Sequence, residues 1–460
     1  MQEERYVAIV DFGSSKVSLS VCTVSSGIPD NLLFFKQMES DGIFRGNIFN
    51  PQKVSITLRA LLNEAQEKNN LKITQIVVNL PRWKVRTEKI CHKLDRSDAN
   101  SYITPEDIQN LKGMAESELE HKLGSDEFIY GLLAQSYSTD DLFQVDENDI
   151  TGATGSFLEG YFLAFIGPRK YKNNIDRVLN DLNIACRSYE FTPIIESKYV
   201  LTLEEREHGV ALIEIGASVT SVSVYHKGVL RYYGAFPFGG KTVTSDIHTE
   251  CNIPEKLAEN IKKNWGFCMP DKLQNMSEKI IQIDDPRDGE HQQLPVKYLS
   301  EIINCRMKEI ISACMYLIGE SGYSDRLRMG IILSGGASQI KLCKSLVNQM
   351  TGLPCRIAYP NNYSSPADTA QEAMLIKSAM DNFGNCAEIC KEDAPERSTL
   401  FDTEPIENVE EKKPKETPPR PQQTSATKKK HTGFLERMGS LFGGDNEGYD
   451  SFGTINDNDE

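Results

Sequence analysis

No apolar run in this sequence approaches the ~18 residues that a bilayer-crossing helix needs. A secretory signal is not expected either, since the opening MQEERYVAIV is acidic and runs straight into a strand-like stretch. The chain has 11 cysteines but no C-x-x-C pair. Cys22, Cys186, Cys305 and Cys314 are scattered singly, and Cys386 and Cys390 have no nearby His or second pair to complete a zinc set. Reduced, buried thiols in a cytosolic protein are the expectation. Basic charge is scarce: 51 Lys and Arg stand against 66 Asp and Glu, a formal net charge of -15. That excludes a broad nucleic-acid surface, which needs clustered cations, and leaves room only for a local basic patch.

At 460 residues, 39% of them hydrophobic, the chain can build real cores and is too long for one ordinary domain. Up to about residue 385, strand-like runs alternate with helical periods, the pattern of an α/β fold. From 386 to 431 the composition turns to Glu, Lys, Pro and Thr with few large apolar residues. Such a segment cannot offset its ordering entropy and reads as a disordered linker. As a coil of roughly 45 residues it would reach ~35–40 Å. Apolar residues return in 432–444, and an acidic tail occupies 445–460.

An internal echo is the strongest signal. Val7 to Val24 reads VAIVDFGSSKVSLSVCTV, and Val210 to Tyr225 reads VALIEIGASVTSVSVY. Superposed, Asp11 falls on Glu214, Gly13 on Gly216, Ser15 on Ser218 and Ser18 on Ser221. Each copy is an apolar run, an acidic residue, a Gly-centred turn and an alternating strand, hence a β-hairpin with a tight loop. Two such loops suggest two duplicated halves whose loops face each other.

Small residues let backbone N–H groups approach phosphate oxygens, and hydroxyls add donors. Gly13, Ser14 and Ser15 form the first candidate phosphate loop, with Lys16 to neutralise charge and Asp11 to hold Mg²⁺ through water. An ordinary hairpin turn is the alternative for either loop alone; the repeat disfavours it. A third element, RMGIILSGGASQIKL from Arg328 to Leu342, predicts a strand, a turn at Gly335, Gly336 and Ala337, and a helix whose N-terminus suits phosphate. Asp11-Phe12-Gly13 spells a kinase motif, but no glycine-rich or catalytic loop precedes it, which excludes a protein kinase.

The order of these elements resembles the actin, Hsp70 and sugar-kinase superfamily. Within it, the chain resembles the bacterial cell-division family FtsA. The resemblance rests on VDFGSSKV (Val10 to Val17), SDGIFRGNI (Ser40 to Ile48), the strand Ile76 to Asn79, and TLEEREHGVALIEIG (Thr202 to Gly216). It continues in FGGKTVTSDI (Phe238 to Ile247), AENIKKNWG (Ala258 to Gly266), IINCRMKEI (Ile302 to Ile310) and Ile332 to Ser338. It covers about residues 5–380, in order.

The resemblance implies an actin-like fold of two halves around a nucleotide cleft. Its first subdomain is expected at 1–85 and 161–200, an inserted subdomain at 86–160, the second at 201–245 and 329–385, and an outer one at 246–328. ATP and Mg²⁺ are the implied cofactors, with Glu214, Gly216, Ala217, Ser218, Thr220, Gly239, Gly240, Glu259 and Lys262 joining the nucleotide site. The implied partners are the C-terminal peptide of the tubulin-like protein FtsZ, other copies in filaments, later division proteins and an anionic membrane. The implied place is the cytoplasmic side of the inner membrane at the division site. Arg306, and more weakly Lys297, are the candidates for the acidic FtsZ peptide; ordinary solvated helix charges are the alternative.

The second loop departs from the family pattern, which resembles D-I-G-G-G-T-T-D. Ala217 and Ser218 stand where glycines would, Val219 replaces a hydroxyl, Ser221 an acid, and Glu214 is one methylene longer. Water activation needs accurately placed groups, so slow or absent hydrolysis is expected, with binding retained.

In 432–444, Phe434, Leu435, Met438, Leu441 and Phe442 fall on one helical face, with Lys428, Lys429, Lys430 and Arg437 at or beside it. So short a helix is unstable alone in water, and lipid would bury its apolar face while anionic headgroups attract the lysines. A partner-binding peptide is the alternative. The leading expectation is an ATP-binding, polymerising membrane anchor for the FtsZ ring, not an enzyme. The rivals are a pilus-assembly adaptor or a small-molecule kinase of the same fold; a chaperone would need a folded substrate domain after 385.

Overall fold

The computed structural model describes residues 5–284, 291–381 and 385–389. The expected linker from residue 390 onward, Lys428 to Lys430, the helix at 432–444 and the acidic tail lie outside the described residues. Among the described residues no helix is long and apolar enough to cross a membrane.

The first hairpin pairs Arg5–Phe12 with Lys16–Ser25, setting Asp11 opposite Ser18. Its leading strand is an almost unbroken apolar run because both faces are covered. Ala8, Val10 and Phe12 enter one core with Val54, Leu58 and Leu61 of the helix Pro51–Asn69. Val7 and Ile9 enter another with Ala373, Met374 and Leu375 of the helix Thr369–Met380. Ile28–Glu39 extends the hairpin antiparallel, and Gln75–Asn79 and Ala185–Glu190 extend it parallel on the other side.

The second half repeats this plan. Val210–Ile215 and Thr220–His226 form a hairpin with Glu214 opposite Ser221. Val229–Phe236 continues it antiparallel, while Ile331–Ser334 and Cys355–Ile357 continue it parallel. Both are five-stranded sheets with the same order and the same strand directions. The duplication visible in two hairpins thus extends to whole sheets, and the fold is the α/β architecture expected.

Three boundaries differ from those expected. The insert is a three-stranded antiparallel sheet with Phe157–Pro168 between Arg86–Asp95 and Glu127–Ser138. Its helix Pro105–Lys122 packs Ile108, Leu111, Ala115 and Leu119 against Leu158, Phe162 and Ile166. A boundary at 160 would cut the central strand, which stays paired to Glu127 through Pro168, so the insert closes at Pro168. The outer block begins at Gly240, not 246, because one helix runs unbroken from Gly240 to Cys251. The fold also continues past 385: Cys386 is buried, and Ala387–Ile389 pairs antiparallel with Leu71–Ile73.

An aromatic junction ties the insert to both halves. Phe191, on the connection between the sheets, lies 5.4 Å from Phe165, 5.7 Å from Tyr130 and 5.3 Å from Tyr233. Phe165 and Tyr130 belong to the insert, and Tyr233 to the second sheet.

Candidate functional site

The two hairpin loops are the same turn. Gly13 donates its N–H to the Lys16 carbonyl at 3.0 Å, and Gly216 does the same to Val219 at 3.0 Å. A Cβ on either glycine would stand 2.8 Å from that carbonyl, so the close backbone approach requires glycine. Side chains separate the copies. In the first loop Ser15 is exposed and Ser14 accepts the Gly46 N–H at 2.7 Å. In the second, Ser218 and Thr220 are buried, and the Thr220 hydroxyl is committed to the Phe238 carbonyl at 2.8 Å.

Gly239 and Gly240 pack on the second loop. Gly240 N–H donates to the Gly216 carbonyl at 2.9 Å and Lys241 N–H to the Ala217 carbonyl at 2.7 Å. Any Cβ on Gly239 would come within 2.4 Å of the Gly216 carbonyl. Behind them, the Lys262 ammonium donates to the Gly240 carbonyl (2.8 Å), Thr244 Oγ1 (2.8 Å) and Glu259 Oε2 (2.6 Å). Burial draws the Lys262 pKa down against the pull of Glu259. For Glu259, burial pushes upward, but Lys262 outweighs it and holds the carboxyl below its ordinary value. The expected adenosine-side pair is thus one buried ion pair that braces the helix Gly240–Cys251.

Gly335 has φ +83°, and a Cβ there would meet the Ile215 carbonyl at 2.5 Å. The turn after it differs from expectation. Gly336–Gln339 is a short 3-10 turn, closed by Ser338 Oγ donating to the Gly335 carbonyl at 2.7 Å, and the α-helix starts only at Cys343. No helix N-terminus therefore stands at the glycine pair. Ala337 is buried beneath the turn.

Four charged residues that sequence reasoning missed complete the site. Lys16 pairs with the buried Asp368 at 2.6 Å, which also accepts from Gln37 at 2.8 Å. Arg82, just past the strand Gln75–Asn79, donates to Thr192 Oγ1 at 2.6 Å and to Glu196 at 3.2 Å. Glu196 is buried and accepts the Thr369 hydroxyl at 2.6 Å. Lys241 crosses from the second half to donate to the Ser14 carbonyl at 2.7 Å, joining the two loops. Asp11 is held above the usual carboxylate range by burial, with Arg82 and Lys16 opposing the shift.

Among the described residues, no group of three or more His, Cys, Asp or Glu is placed to hold a metal ion. A Mg²⁺ at Asp11 would have to draw its other ligands from water and phosphate. The carboxylates around it already hold protein cations.

On the outer block, Arg306 is engaged within the fold. It binds Asp246 through Nε at 2.6 Å and Nη2 at 3.0 Å, and Glu309 through Nη1 at 2.5 Å. Lys297 is exposed in the first turn of the same helix, Val296–Glu320.

Comparison with known proteins agrees with this architecture. The family model "Cell division protein FtsA" matches residues 211–376. A cell division protein FtsA of Buchnera aphidicola subsp. Baizongia pistaciae is 27% identical over 368 residues, covering 78% of this chain and 85% of the relative. One of Neisseria meningitidis is 24% identical, covering 80% and 87%. Among solved structures, the PilM-PilN type IV pilus biogenesis complex superposes with a TM-score of 0.55 at 12% identity, covering 81% of this chain and 98% of that one. MreB5 of Spiroplasma citri bound to ADP gives 0.50 at 13% identity, covering 82% and 98%.

Proposed function

We propose that this chain, which is similar to cell division proteins FtsA over about four fifths of its length and has an actin-like fold, is an ATP-binding, polymerising membrane anchor that tethers the FtsZ ring. The observation that carries the nucleotide part is the pair of like hairpin loops, joined by Lys241 on the Ser14 carbonyl. A polyphosphate would take the exposed Ser15 side and the cations Lys16 and Lys241, with Gly335, Gly336 and Ala337 as the floor. An MreB5 of the same fold was solved bound to ADP, which is in keeping with this reading.

Turnover is proposed to be very slow or absent. The second loop offers a Thr220 hydroxyl committed to the Phe238 carbonyl, a valine at 219 and a serine in place of an acid at 221. The same commitments disfavour a small-molecule kinase. Membrane anchoring rests on the amphipathic pattern of Phe434, Leu435, Met438, Leu441 and Phe442 and on the nearby lysines. FtsZ-peptide binding is assigned to the outer block, with Arg306 and Lys297 as its candidate cations.

Co-sedimentation of the full chain with FtsZ polymers and with anionic vesicles tests the tether. The expected result is pelleting with each alone, and recruitment of FtsZ to vesicles only when the chain is present. Failure to bridge the two would sink the tether reading, and a pilus-type adaptor would take its place.

A further inference from the structure

The second sheet ends, away from its loop at Gly216, in a group of cations that the nucleotide reading leaves unused. Three segments meet there: the end of the helix Leu203–His208, the turn after the strand Thr220–His226, and the 3-10 turn Ser324–Arg326. Backbone bonds fix them together. Lys227 N–H donates to the Glu207 carbonyl at 3.0 Å, Gly228 N–H to the Arg206 carbonyl at 3.1 Å, and Met329 N–H to the Gly209 carbonyl at 2.9 Å. Gly209 has φ +99°, and a Cβ on it would stand 1.9 Å from the Arg326 carbonyl, so this approach needs glycine.

Between the segments opens a cleft of about 470 Å³. Its cations are Lys227, Arg326 and Arg328, beside His226; Glu207 and Asp325 are its acids. Among the described residues none of the three cations has a carboxylate within ion-pair distance. Arg86, Arg306 and Arg356 each hold one. In a chain of net charge -15, unpaired cations gathered at one cleft are an exception. Their mutual repulsion is relieved by a bound anion.

The groups are also held in place. The Tyr323 ring lies 5.6 Å from the His226 ring and carries the Arg326 guanidinium 5.5 Å from its centroid. His226 reports the local field. Burial, then Arg326, Arg231 and Lys227, hold its pKa below the ordinary value against the pull of Glu207. Arg206 lines the adjoining depression with Glu207 and His208, and its Nε is buried with no hydrogen-bond partner among the described residues. That is a donor an anion could satisfy. Arg326 and Arg328 approach from one segment and Lys227 from another. A tetrahedral phosphate, with oxygens facing several directions, fits such donors better than a planar carboxylate held by one guanidinium.

We infer that this cleft is a second anion site, apart from the nucleotide loops, which binds a phosphate group through Arg326, Arg328 and Lys227. The phosphate belongs to a soluble small molecule or to a lipid headgroup, and the two sources are separable.

Calorimetric titration of the full chain with inorganic pyrophosphate tests the site. Arg326→Gln with Arg328→Gln alters only exposed side chains and should fold normally. Binding at this site should fall at least ~tenfold in that variant and persist in Lys241→Met, which is altered at the nucleotide loops. Nuclear magnetic resonance of histidine-labelled chain locates the ligand, with His226→Gln to assign the signal. Pyrophosphate should raise the His226 pKa, because a bound anion offsets the neighbouring cations. That result supports the site with a soluble ligand. The same shift with phosphatidylglycerol vesicles, and none with pyrophosphate, supports it with a headgroup as the source. No shift with either, or equal pyrophosphate binding by the double variant, would overturn the inference and leave the nucleotide reading untouched.

Discussion

Lys241 reaches a partner 227 positions earlier in the chain, and its single bond to Ser14 is the direct link between the two loops. Truncating it should weaken ATP binding. A hydrogen bond to a charged group is worth about 1.5–3 kcal/mol, so Lys241→Met should cost roughly tenfold or more in affinity. A fluorescence titration reads this, and unchanged affinity would remove Lys241 from the site. Asp11 gives a pH prediction. Burial raises its folded pKa above the unfolded value, so the folded chain holds this proton more tightly than the unfolded chain. The stability this supplies is present below the unfolded pKa and lost as pH rises through the folded one. Asp11→Asn should therefore raise Tm at pH 7–8, with the gain shrinking as the solution is acidified into the carboxylate range. A lowered Tm at neutral pH would contradict the shift. The residues legible in the sequence were those whose role is local. Gly13 and Gly216 stand out because the turn that needs them is written within four residues. Arg82, Glu196, Lys241 and Asp368 were not legible, because each acts through partners far along the chain. A lysine after two glycines, or an arginine after a proline, has no periodicity that marks it as buried or paired.

The hairpins were legible as elements because an alternating apolar strand, a small-residue loop and a second such strand recur intact. The parallel strands Ile331–Ser334 and Cys355–Ile357 complete the repeat only in three dimensions. Boundaries failed where a single element crosses from one block to the next. Phe157–Pro168 and Gly240–Cys251 each do so without a change in composition. Phe191 sits at the busiest of these crossings, 2% exposed, with aromatic contacts to insert and second sheet. Phe191→Ala should cost about 3–5 kcal/mol, read as a loss of unfolding free energy in denaturant. A cost under about 1 kcal/mol would mean that the junction is loosely packed. On the outer block, Asp246 holds Arg306 between two helices. Asp246→Asn combined with Glu309→Gln should free the guanidinium and strengthen binding of an acidic FtsZ peptide, whereas Arg306→Glu should weaken it. Equal affinity for all three chains would take Arg306 off the binding surface.

At the scale of the whole molecule, two sheets of one topology carry unequal loops. The first keeps an exposed serine and a lysine, while the second has turned its hydroxyls inward. Duplication gives two like loops, and divergence of one copy would account for the proposed binding without turnover. The proposed output lies in the tail, where five large apolar residues at about 1.5–3 kcal/mol each set an upper bound on lipid binding before helix ordering and shallow insertion reduce it. Phe434→Glu with Leu441→Glu should release the chain from anionic vesicles and leave ATP binding unchanged. Continued co-sedimentation of that variant would contradict the membrane role. The account turns most directly on one measurement, ATP binding by the full chain followed alongside phosphate release. It predicts one ATP bound per chain and no phosphate released beyond a single slow turnover; absence of binding, or steady multiple-turnover release, would contradict it.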